Sequence, residues 1–235
     1  MSEWKAKRFW KEAGIAPAEG GWQVLLDSRP VRTPAKAALV LPTQALARAV
    51  AAEWQAQEER IDPRSMPVTR TSNSAIDKVA LQRAEVAEML AAYGGSDLLC
   101  YRALGPAELV ARQAVEWDPL LDWVRERYGA ELSTVSGVMP VTQDAAALER
   151  LSAPVREMEP FALAAFHDLV ALSGSLVLAL AVIEERLEAE EAWRLSRLDE
   201  EWQIEQWGAD EEAEAMAQVK RTAFLDAASF WRLLH

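Results

Sequence analysis

The residues best suited to chemistry in this 235-residue chain are two histidines, one cysteine, a Ser-Gly-Ser run and a surplus of carboxylates. His167-Asp168 resembles half of a metal site, but such a site needs further histidines, and the only other one is His235. Adjacent residues on a helix also do not face each other. His167 is therefore expected to pack or to cap. Cys100 stands alone in Leu98-Leu99-Cys100-Tyr101, which rules out a disulfide framework or a multi-cysteine metal cluster and reads as a small buried hydrophobe. Ser173-Gly174-Ser175 lacks the second glycine of a GxSxG elbow and sits in a helical pattern. Neither a GxxxxGK[ST] loop nor a GxGxxG fingerprint is present, and Gly20-Gly21 and Gly94-Gly95 read as turns. A carboxylate pair in a helical cleft is the one enzymatic reading left open. Nothing supplies a nucleophile, metal or cofactor loop to go with it, so the expectation is a non-enzyme with no catalytic residue, no metal and no cofactor.

Residues 189–207 carry more information. On a single helix, Leu195, Leu198 and Trp202 share one face, and Trp193, Ile204 and Trp207 fall nearly opposite. Either the helix lies between two layers, or one stripe is buried and the other is presented to a partner, for which tryptophan is a favoured anchor. Asp199 borders the Trp202 stripe. Its neighbours one turn away are Leu195, Ser196, Trp202 and Gln203, none of them cationic, whereas Glu201 is placed to reach Arg197. A carboxylate with no local partner is satisfied by water or by a group outside the chain.

The elements that must position these residues divide into two kinds. Residues 4–41 hold Gly14, Pro17, Gly20, Gly21, Pro30 and Pro34 and do not read as helix. Trp22–Leu26 and Arg29–Thr33 flank Asp27-Ser28 as a hairpin, with a flanking strand over Lys7–Ala13 and a short one over Ala38–Leu41. Thr43 is an N-cap candidate for a helix with Leu46, Val50 and Trp54 on one face, running to about Arg60 and stopped before Pro63. From Ser72 the chain reads helical. One helix carries Ile76, Val79, Val86, Leu90 and Tyr93, and another opens at Pro106, is interrupted by Pro119 and ends near Gly129. Residues 131–142 look irregular or extended, 143–152 form a short helix before Pro154, and Pro160 opens a helix running to about Leu172. Residues 175–187 are apolar nearly all round and read as the central core helix. Helices over 189–207, ended by Gly208, and over 210–233 complete the chain. The fold class is α+β: a small antiparallel sheet with a helix over residues 1–72, then a larger all-α orthogonal bundle over 73–235.

Composition agrees with a folded protein: 51% of residues are hydrophobic and 26% charged. The net charge of −12 argues against nucleic acid, whose backbone demands a basic surface. Residues 184–214 hold thirteen acidic residues against three arginines, while residues 1–43 carry a net +3. The acidic run is either a solvated helix face or a surface that steers a basic partner. The most apolar stretch, Leu169–Ile183, is interrupted by Ser173-Gly174-Ser175 and is shorter than the ~20 residues of a membrane span, so no membrane insertion is expected. Met1, Glu3, Trp4 and Lys5 open the chain with no apolar signal-peptide region, which points to an intracellular protein.

A set of motifs then recurs in order: Arg8-Phe-Trp-Lys11, Leu26-Asp-Ser-Arg-Pro-Val-Arg-Thr-Pro34, Ala52-Glu-Trp-Gln-Ala-Gln57, Met66-Pro67 with Ala75-Ile-Asp77, Asp97-Leu-Leu-Cys-Tyr-Arg102, Trp117-Asp-Pro-Leu-Leu-Asp-Trp123 and Ser196-Arg-Leu-Asp-Glu-Glu-Trp-Gln-Ile-Glu-Gln-Trp-Gly208. This chain resembles, over essentially its whole length, the assembly-chaperone family for the catalytic head of the F-type ATP synthase. The resemblance implies a small α/β domain followed by an orthogonal helical bundle. It also implies a chaperone that holds the unassembled alpha subunit until the beta subunit takes its place, with no cofactor. The family's functional acid matches Asp199, where glutamate is common, and the closing run supplies the expected partner-binding residues Asp199, Glu200, Trp202, Glu205 and Trp207. Trp54 matches the tryptophan of the EWxAQ motif, for which packing is the expected role. A monomer in the bacterial cytoplasm is expected, with the mitochondrial matrix as the alternative for a trimmed organelle protein.

Overall fold

The structure is a computed structural model that describes residues 7–235. Residues 1–6, and with them the expectation that no signal peptide opens the chain, lie outside the described residues. The chain forms two compact units. Among the described residues the first takes 7–83 and two later segments, 159–165 and 229–235; the second takes 84–158 and 166–228. The sequence suggested 1–72 and 73–235, each in one pass.

The first unit is built on a four-stranded antiparallel sheet. Strand β1 (Ala13–Ala18) pairs along its length with β2 (Gly21–Leu26), and β2 then pairs with β3 (Arg29–Pro30) at one end and β4 (Val40–Leu41) at the other. The Asp27-Ser28 hairpin is where the sequence places it. The flanking strand is not: it lies at Ala13–Ala18 rather than Lys7–Ala13. Pro17 fits because β1 is an edge strand, where a missing N–H breaks no inner ladder. Gly21 permits the turn into β2, since a Cβ there would sit 2.2 Å from the Leu41 carbonyl oxygen.

Helix α1 (Gln44–Gln55) starts at Thr43, whose hydroxyl accepts from the Leu46 N–H. It buries Leu46, Ala47, Val50 and Ala51 against Val24, Leu26 and Leu41 of the sheet, with Trp10 and Phe230 in the same cluster. It ends five residues before the expected Arg60, because the buried Gln57 amide turns inward to bond Glu53 O, Ser65 Oγ and Asp62 N. Helix α2 (Pro67–Asp77) begins at Pro67, where the sequence suggested a loop. Its first N–H groups, on Val68 and Thr69, donate to the Glu53 carboxylate of α1, a cap invisible to local pattern.

The helix expected from Ser72 to Tyr93 is two. The backbone leaves helical angles at Lys78 (φ −126) and Gln82 (φ −137) around a short 3-10 turn before α3 (Arg83–Ala91).

In the second unit, α4 (Ala107–Tyr128) passes straight through Pro119, correcting the expected interruption. The bond that proline removes would have ended on the carbonyl of Val115, which is exposed, so solvent replaces it at little cost. Gly129, at φ 65, closes the helix as expected. Helix α5 (Ala145–Glu157) likewise carries Pro154 inside it rather than ending before it. Residues in the extended stretch form β6 (Val135–Ser136), paired in parallel with β5 (Tyr101–Arg102). Helix α6 (Pro160–Ser173) opens at Pro160.

Helix α7 (Leu176–Ile183) is the core helix: Leu176 to Ala181 are all inaccessible to solvent. Its start is held from two sides. Ser175 Oγ accepts from the Leu178 N–H, and the buried Asp97 carboxylate accepts from Ser175 Oγ and from the N–H groups of Val177 and Leu99. The expected helix over 189–207 breaks at Arg197 (φ −112, ψ 12) into α8 (Ala189–Ser196) and α9 (Leu198–Trp207), and α10 (Glu211–Arg232) follows.

Candidate partner-binding site

The break at Arg197 decides which faces of the closing motif are buried. Trp193 and Leu195 of α8 and Leu198 of α9 enter the core together, so the two opposed stripes expected of one helix do not form. Trp202 is half-buried. Ile204 and Trp207 stand out from the other side of α9, with Trp207 79% exposed. From Gln203 through the turn to Lys220 in α10, every residue is exposed except the half-buried Ala217.

Where α9 leaves the body of the second unit, a cavity of about 440 Å³ opens. Leu98, Trp117, Leu172 and Trp193 form apolar walls, and Arg197, Asp199, Glu200, Gln203 and Lys220 bring charge and polarity to it. Trp117 is fixed by donating its ring N–H to the Leu195 carbonyl at 3.1 Å, and the Arg197 guanidinium lies over the Trp193 ring. The wall beside Leu98 is set by the Asp97 contacts that start α7, together with a Leu98 N–H bond to Gly174 O.

Asp199 and Glu200, adjacent in sequence, face different partners. Glu200 pairs with Arg197 at 2.9 Å. The Arg197–Glu201 contact suggested by the sequence is not formed; Glu201 approaches Arg112 at 3.9 Å instead, and burial pushes its carboxyl above the ordinary range against the pull of nearby arginines. Among the described residues Asp199 has no cationic partner, as the spacing implied, yet it is bonded within the chain. The Gln113 amide of α4 donates to its Oδ1 at 2.7 Å. Its Oδ2 accepts no hydrogen bond from the described residues. Glu205 forms two bonds of 2.9 Å to Arg112.

Of the five residues singled out from the sequence, Asp199 and Glu200 line the cavity. Trp202, Glu205 and Trp207 lie further along the same helix and do not. Gln113 escaped the sequence reading. Its signal was a single amide inside the buried stripe Leu109, Gln113, Trp117, Leu120, Val124 of α4. Such a group buried completely must have partners.

Of the remaining chemical candidates, Ser173 and Gly174 of the Ser-Gly-Ser run line the cavity, whereas His167, Asp168 and Cys100 do not. Nδ1 of His167 meets Asp168 Oδ1 at 2.9 Å, so these neighbours do reach each other, contrary to the expectation from helix geometry. Cys100 is buried, and burial pushes its thiol up to about 12. Among the described residues no group of three or more His, Cys, Asp or Glu is placed to hold a metal ion, and no helix is long and apolar enough to cross a membrane.

Residues 7–125 match the family model of the ATP12 chaperone protein. The chain belongs to the ATP12 chaperone family. This is the family of assembly chaperones for the F1 head of ATP synthase that the sequence motifs resemble. The model match stops before α9, but whole-length relatives extend it. Atp12 from Paracoccus denitrificans is 56% identical, with a TM-score of 0.96 over 99% of this chain and 100% of that one. An aspartate-to-lysine variant of the P. denitrificans protein matches over 100% of both chains with the same TM-score of 0.96. The Atu1473 protein of Agrobacterium tumefaciens is 44% identical, with a TM-score of 0.94 over 97% of this chain and 86% of that one. The mitochondrial protein atp12 of Schizosaccharomyces pombe is 25% identical over 219 residues, 88% of this chain and 75% of its own. Two units, a small sheet with helices and a helical bundle, are thus the fold of an ATP12 chaperone.

Proposed function

We propose that this ATP12-family chain is a monomer in the bacterial cytoplasm. There it binds the unassembled alpha subunit of the F-type ATP synthase and yields it when the beta subunit arrives. The contact is made by the α9 face: Asp199 and Glu200 at the cavity, with Trp202, Glu205 and Trp207 along the same helix. The observation that carries this reading is the Asp199 carboxylate, which is held by one oxygen and leaves the other open beside a cavity. Further support comes from Ile204 and Trp207, apolar side chains left on the surface next to an acidic rim. Unclaimed acceptors and aromatic anchors of this kind are what a protein partner engages. The carboxylate-pair enzyme gains little here, because Glu200 is already paired with Arg197 and Asp199 with Gln113.

The test is direct. Purified protein immobilised on beads is expected to retain isolated alpha subunit and to release it on addition of beta subunit. Failure to retain alpha subunit would overturn the reading.

A further inference from the structure

Gln113 is wholly buried in α4, and both ends of its amide are committed. The Ala103 N–H donates to Oε1 at 2.8 Å, and Nε2 donates to Asp199 Oδ1 at 2.7 Å. A backbone N–H can only donate, so the amide oxygen must face Ala103 and the NH₂ group must face Asp199. The Asp199 carboxylate, which can only accept, demands the same orientation, so the loop after β5 and Asp199 agree on it. Asp199 lines the cavity, and among the described residues only its Oδ1 is claimed by a hydrogen bond.

We infer that Gln113 is a positioning residue for client binding. Its amide, locked by the Ala103 N–H, fixes the Asp199 carboxylate so that Oδ2 is presented to a hydrogen-bond donor on the partner. This rests on the proposal that Asp199 contacts the client. The choice of glutamine follows from its chemistry. An arginine or lysine here would neutralise Asp199 and compete with the partner, an apolar residue would leave the carboxylate free to turn, and a carboxylate would repel it. Glutamine donates one bond without removing the charge.

The experiment is a double-mutant cycle read by affinity for purified alpha subunit, with melting curves on every variant. Gln113→Met removes both amide bonds at similar volume. Gln113→Glu keeps an acceptor for Ala103 but replaces the donor to Asp199. Each is expected to weaken alpha-subunit binding by about tenfold, the scale of one hydrogen bond to a charged group. In an Asp199→Ala background, already weakened, neither is expected to weaken it further. A purely structural role would lower binding equally in both backgrounds, and that result overturns the inference. Wild-type binding by both Gln113 variants, with Asp199→Ala impaired, overturns the positioning role and leaves the Asp199 contact standing. Wild-type binding by Asp199→Ala overturns both.

Discussion

At the scale of single residues, the polar groups of this chain are mostly spoken for by its own partners. Asp97 binds the start of α7, Glu53 the start of α2, and Glu205 binds Arg112. Against that background, the unclaimed oxygen of Asp199 stands out more than its charge does. His167 offers a separate check on the local electrostatics. Its hydrogen bond to Asp168 raises the imidazole pKa above the ordinary 6.5, with partial burial working the other way. A histidine whose folded pKa is raised contributes stability that is fully present below its unfolded pKa and is lost as pH rises through the folded value. An NMR titration of His167 should give a midpoint above 6.5, moved down by Asp168→Asn. Equal midpoints in the two proteins would contradict the pairing. The Asp199 position was legible from the closing motif, but its partner was not. Gln113 lies 86 residues away, and no local spacing rule connects the two.

At the scale of elements, caps and glycines were readable and helix continuity was not. Thr43, Gly129 and Pro160 mark helix ends because each acts on the backbone beside it. Pro119 and Pro154 misled because proline's cost depends on whether the orphaned carbonyl meets water, which only the folded surface decides. The break at Arg197 had no glycine or proline to announce it, yet it alone separates the buried Trp193 from the exposed Trp207. The N-terminal strand was misplaced because Gly14 and Pro17 suggest a loop unless the strand is known to lie on an edge. Trp54 closes α1 against this sheet: its ring packs edge-on to Trp10 at 5.3 Å within the first unit's core. Trp54→Arg should therefore destabilise the protein by about 3 kcal/mol or more, as a cation placed among apolar groups without a partner. Thermal melts report it; an unchanged melting temperature would make Trp54 a surface contact instead.

At the scale of the whole molecule, the charge is segregated. Residues 184–214 carry a net −10 of the total −12, and they include α8, α9 and the start of α10. An acidic face next to exposed Ile204 and Trp207 suits a partner that offers hydrogen-bond donors or basic groups around an apolar patch. The solved relatives share the backbone that carries this face, with TM-scores of 0.96 and 0.94. The proposed role of Asp199 is to meet the alpha subunit, not to hold the fold. The most direct measurement is alpha-subunit affinity and melting temperature on the same Asp199→Lys protein. A melt within about 10 °C of wild type is expected, because the substitution leaves one buried donor, Gln113 Nε2, unpaired at a cost of about 1–3 kcal/mol. Alpha-subunit binding is expected to weaken at least tenfold, because a lysine meets donors meant for a carboxylate. Full binding with a normal melt, or loss of binding only through an unfolded protein, would contradict that role.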